Sequence, residues 1–218
     1  MYDENLIQDP LKSLEQISEP DIRQANFIGV LEDHHSNLAS IILHVDVPKD
    51  VKQLFETAKN ISLYSWFVYR FHQVSELIAF SALEMALRNR YLKENPLDPD
   101  LKQRPPTLYP LLQYARNEKW ITNKGFPSMC ERAKYLAEHK KAMIKMQTHD
   151  FDKEPSMLIE EPDEDEISEA LASLDMVEAI TSNAHKIRNN LAHGSSNLHP
   201  NSVSTLRTVS EVINQIYP

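Results

Sequence analysis

Apolar residues recur every three or four positions along most of the chain, the spacing of helices with one buried face. Residues 1–18 carry Leu6, Leu11, Leu14 and Ile17 and read as a short helix interrupted or started by Pro10. A second helical run, from Asp21 to about His44, carries Ile22, Phe27, Val30, Leu31, Leu38, Ile41 and Ile42 and stops before Pro48. The longest run extends from about Asp50 to Lys93 and includes Leu63, Trp66, Phe67, Phe71, Val74, Leu77, Ile78, Leu83, Leu87 and Leu92. Its apolar stripe is wide, which predicts a central helix contacted on several sides.

After the proline-rich segment that ends in Arg104-Pro105-Pro106, Thr107 is placed to cap a short leucine-rich helix. Another helix starts at Pro127, with Met129, Ala133, Leu136, Ala137, Met143 and Ile144 on one side. Lys134, His139, Lys140, Lys141 and Lys145 give it a basic side, read as a solvated face or an RNA-backbone contact. Residues 147–166 are acidic and proline-interrupted, the pattern of an exposed loop. From about Glu164 a long helix runs to Gly194, keeping Ile167, Leu171, Leu174, Val177, Ile180, Ala184, Ile187 and Leu191 in register. Gly194 is its expected stop. A last helix follows Pro200, with Val203, Leu206, Val209, Val212, Ile213 and Ile216 on one face.

Composition sharpens this picture. Three glycines in 218 residues are too few for the turns and phosphate loops of sheet-containing folds, while 13 prolines mark helix boundaries. The fold class expected is all-α. Neither GxGxxG nor GxxxxGK occurs, so no nucleotide-cradling glycine loop is expected. A net charge of −9 excludes nucleic-acid binding by bulk charge, so RNA must be held by a local basic site or brought by a partner. The single cysteine, Cys130, excludes an internal disulfide and fits a reducing compartment. With neither a signal-peptide pattern at residues 1–10 nor an apolar run of membrane-spanning length, the expectation is a cytoplasmic protein without a membrane partner. His34, His35 and His44 lack partners at metal-ligand spacing, so neither metal nor other cofactor is expected.

The candidate chemistry lies in Ile187–Gly194, which reads IRNNLAHG. Asn189 and His193 stand one turn apart on a straight helix, with His185 one turn earlier on the same face. Arg188 points roughly 140° away from His193, yet its long side chain can reach over the helix end. An imidazole, a guanidinium and a neutral amide are parts for handling a phosphodiester without a metal.

This stretch resembles the signature of the HEPN superfamily, all-α domains of which many are metal-independent ribonucleases. The phrase ALEMALRNRYL resembles the early core helix of the same domains, which often carries a glutamate followed by a basic residue. The resemblance spans roughly Leu63 to Tyr217. It implies a HEPN-like helical bundle over residues 51–218, with residues 1–50 as an N-terminal helical extension. It implies Arg188, Asn189 and His193 as catalytic residues. Glu84 then orients a basic group, Arg88 helps to hold phosphate, and His185 is a weaker candidate. Without the resemblance, Glu84 and Arg88 read as a surface ion pair at four-residue spacing. The resemblance further implies a homodimer whose two signature helices face each other across an RNA-binding cleft. It also implies a role in toxin–antitoxin or anti-phage defence, with an antitoxin or other protein partner. The alternative is a catalytically silent module that binds RNA, nucleotide or protein.

Overall fold

The computed structural model describes residues 11–26, 30–96, 104–149, 156–194 and 198–218, all helical or irregular, with no strand among them. The helices are α1 (Leu31–Ala39), α2 (Lys49–Tyr64), α3 (Phe71–Glu94), α4 (Leu108–Asn117), α5 (Pro127–Thr148), α6 (Glu164–Ala172), α7 (Met176–Ala192) and α8 (Ser202–Ile216). Short 3-10 turns occupy Ile22–Asn26 and Asn123–Gly125.

The architecture is an all-α bundle centred on α3, which packs against α2, α4, α7 and α8. Ala79, Ala82 and Ala86 keep α3 narrow where its neighbours approach, while Leu83 and Leu87 fill the centre. Around them lie Val51 and Phe55 from α2, Leu111 and Leu112 from α4, Ile180 and Ala184 from α7, and Leu206, Val209 and Ile213 from α8. Each fully buried aliphatic or aromatic side chain contributes about 1.5–3 kcal/mol of transfer free energy. Leu38, Ile41 and Val47, from the first fifty residues, belong to this same buried cluster.

Two glycines are placed by geometry. Gly194 adopts φ +86° just beyond α7, the left-handed conformation of a helix stop. At Gly125 a Cβ would lie 2.0 Å from the Gln215 side chain, whose Oε1 accepts the Thr122 N–H at 2.8 Å.

Several expected helices differ. Residues 1–10 and Phe27 lie outside the described residues. Residues 14–19 form turns instead of a helix, and Leu11, Leu14 and Ile17 are exposed. The run from Asp21 to His44 is only a 3-10 turn plus α1. The long run from Asp50 to Lys93 is two helices, α2 and α3, folded back on each other. No proline or glycine marks the break at residues 65–70. Its backbone is satisfied from outside: Trp66 C=O accepts the Asp21 N–H (2.9 Å), Ser65 C=O accepts Gln24 Nε2 (2.9 Å), and Tyr69 N–H donates to Asp21 Oδ2 (3.2 Å). Likewise, the run from Glu164 to Gly194 is two helices. Asp175 interrupts it by accepting the Glu178 N–H at 2.9 Å as the N-cap of α7. Thr107 does occupy the N-cap of α4, but its side chain makes no capping bond.

Helices α5 and α6 pair with one another to form a hairpin beside the main bundle. Ala133 and Ala137 are the buried residues of α5. The basic side of α5 turns towards acidic α6 and the strap before it. Lys141 meets Glu166 (2.7 Å), Lys140 meets Glu169 (3.3 Å), and Lys145 donates to Leu158 C=O. Lys134 lies 3.9 Å from Glu138 within α5. The solvated-face reading fits: Lys134, His139 and Lys140 are exposed, and the lysines make surface contacts with carboxylates and carbonyls of the chain itself.

Candidate active site

The crossing of α3 and α7 brings three of the sequence-derived residues together. Glu84 is 9% exposed on α3, and its Oε1 accepts a bond from Arg88 Nη2, one turn along the same helix. Its other oxygen lies 3.6 Å from Arg188 Nη2 on α7. The pair therefore is not a solvated surface ion pair; one buried carboxylate lies between two guanidiniums. Both arginines are about one-third exposed, and the Nε atom of each is buried without a hydrogen-bond partner. The cluster carries a formal charge of +1, a local basic spot in an acidic chain.

Arg188 Nη1 also donates to Asn189 Oδ1 at 3.3 Å. With its carbonyl so engaged, Asn189 presents its amide N–H groups to solvent. His193 is not inside α7 but at its C-cap, with φ −88° and ψ 0°, and its N–H still bonds to Asn189 C=O at 3.0 Å. Its side chain is exposed and makes no hydrogen bond among the described residues. His185 is not simply solvated. Its ring lies 4.5 Å from that of Tyr109 on α4, and its Nδ1 is buried without a partner.

A groove lies elsewhere on the bundle. It has a volume of about 510 Å³ and runs between α7 and α8 over a floor of α3. Ile187 lines it, but Arg188 and His193 do not. One end holds Glu76, 2% exposed, whose Oε2 accepts Thr205 Oγ1–H at 3.0 Å. His199 Nδ1 lies 3.4 Å from the other oxygen, close enough for charge interaction but not aligned as a hydrogen bond. Burial raises the Glu76 carboxyl above the ordinary carboxylate range, against the lowering influence of Thr205 and His199.

Behind Glu76, one turn earlier on α3, His72 is 3% exposed. Its Nδ1 lies 2.7 Å from Ser202 Oγ, and that hydroxyl lies 2.6 Å from Ser62 Oγ. Burial, reinforced by the nearby His34 and His199, pushes its pKa down to about 4. These groups tie α2, α3 and α8 together.

Sequence reasoning did not single out Glu76, His72 or His199. A signal was there: His72 and Glu76 interrupt, at four-residue spacing, the stripe that continues through Phe80, Leu83 and Leu87.

His34 Nε2 lies 2.8 Å from Ser62 C=O and His44 Nδ1 3.2 Å from Tyr217 C=O. Among the described residues, no group of three or more His, Cys, Asp or Glu side chains is arranged to hold a metal ion. No helix among them is long and apolar enough to cross a membrane. Comparison with known proteins finds no matching family model, no matching curated sequence and no matching solved structure.

Proposed function

We propose that this protein is a metal-independent endoribonuclease of the HEPN type, acting as a homodimer. The observation that carries the reading is the Glu84 clamp, which sets Arg88 and Arg188 together beside Asn189, one turn before the exposed His193. Cleavage of RNA by its own 2′-hydroxyl needs a base on that hydroxyl, an acid on the departing 5′-oxygen, and positive charge at phosphorus. A histidine titrates near neutrality and can serve as either base or acid. Two preset guanidiniums offer the charge, and the carboxylate between them fixes their positions before substrate arrives. The RNA is bound by this local spot against the net charge of the chain.

A single copy provides one such histidine. A second copy, with its α7 facing the first, supplies the other imidazole and doubles the arginine charge. A toxin or anti-phage role with an antitoxin-like partner is the setting in which we place this activity. The test is cleavage of single-stranded RNA in EDTA. Wild type should leave 2′,3′-cyclic phosphate ends, and His193→Ala should be slower by roughly 100-fold or more. Equal rates for the two proteins would overturn the reading.

A second reading is a catalytically silent module that binds RNA, nucleotide or a protein partner. It is favoured by the engagement of Arg188 with Glu84 and by the position of the α7–α8 groove away from His193. RNA binding without cleaved ends would select it.

A further inference from the structure

We propose that the groove between α7 and α8 is a binding site for a small organic amine, with the ammonium held at Glu76 and the hydrocarbon body lying along the groove. This inference does not depend on the ribonuclease reading. Glu76 is 2% exposed, yet its Oε1 has no hydrogen-bond partner. A buried carboxylate in that condition is costly, and native chains seldom keep one without a use.

The polar groups that line the groove include acceptors for the protons of an ammonium. A proton on His199 Nδ1, the arrangement that serves the carboxylate, leaves Nε2 as an acceptor. Asn183, which lines the groove, gives one amide N–H to Ala179 C=O at 2.9 Å and keeps its carbonyl oxygen as an acceptor. The three N–H donors of an ammonium can therefore be served there. Phe80, one turn along α3 from Glu76, lines the same groove and adds a ring of the kind that attracts cations.

Thr205 is bonded to Oε2, while Oε1 has no hydrogen-bond partner. An ammonium is a compact point charge that this one oxygen can serve. The remaining walls, including Ile180, Val209 and Val212, are apolar and suit a hydrocarbon or aromatic body. His199 is about one-third exposed and covers the carboxylate from the open side, so the entering ammonium takes the place beside Oε1 that the imidazole now fills.

The experiment is titration calorimetry of the full chain with n-hexylammonium, n-hexanol and n-hexanoate. Hexylammonium should bind, and the alcohol and the carboxylate should be at least 10-fold weaker. Glu76→Gln should reduce hexylammonium affinity at least 10-fold while leaving the circular dichroism and melting temperature intact or raised. Ala179→Trp, which fills the groove from its exposed wall, should abolish binding in a folded protein. Equal affinity for all three probes, unchanged amine binding in Glu76→Gln, or no hexylammonium binding to wild type at millimolar concentration would each overturn the proposal.

Discussion

Two carboxylates on α3 meet opposite fates. Glu76 and Glu84 stand eight residues apart, about 12 Å along one helix, and both are buried. Glu84 lies between two arginines; Glu76 has a hydroxyl on one oxygen and a misaligned imidazole near the other. The first is neutralised by its neighbours and in turn organises them. The second is a charge the fold tolerates. A buried acid can therefore be a structural tie or a liability kept for another purpose, and its partners tell which.

The largest expected effect comes from breaking the tie. Glu84→Ala leaves two guanidiniums facing each other with their Nε atoms already buried. Urea unfolding should show a loss of about 3 kcal/mol, below the upper range for buried pairs because both arginines reach solvent. An unchanged midpoint would mean that α3 and α7 are held by apolar packing alone.

The next effect belongs to His72, one turn before Glu76. Its folded pKa of about 4 lies below the unfolded value near 6.5, so the unfolded chain takes up the proton first. Stability from this group is complete above about pH 6.5 and is lost as pH falls towards 4, by roughly 2–3 kcal/mol in all. Denaturation across that window should show the decline in wild type and a flatter profile in His72→Gln.

Glu76 acts with the opposite sign. Its folded pKa is raised, so its contribution is favourable below the unfolded value and is lost as pH rises through the folded one. Glu76→Gln should therefore be more stable than wild type near pH 8, with the gain vanishing as pH falls. A less stable variant at pH 8 would show that the carboxylate is better paired than its geometry indicates.

The pattern of apolar residues was enough to read the bundle, the central place of α3, the face of α8 and the stop at Gly194. It could not reveal the breaks at residues 65–70, because those backbone groups are satisfied by Asp21 and Gln24, more than forty positions away. Asp175 was readable in principle as an N-cap, but the apolar spacing runs through it without a stumble. Glu84 and Arg88 were visible as a pair at helical spacing. Their third partner, Arg188, was visible only through a family resemblance, since no local rule links residues 104 apart. The groove escaped notice because α7 and α8 fail to close over α3, and a gap leaves no trace in periodicity.

The α5–α6 hairpin has a consequence for how the molecule breathes. It is tethered to the bundle by the 3-10 turn at Asn123–Gly125 and by Ser128, whose N–H and hydroxyl both bond to Glu211 on α8. Its inner seam is made of alanines and its outer tips carry Tyr135, Ile144 and Met146 in solvent. We expect the hairpin to open ahead of the bundle as a unit of its own. Its amide protons will exchange with deuterium while those of α3 and α8 are still protected.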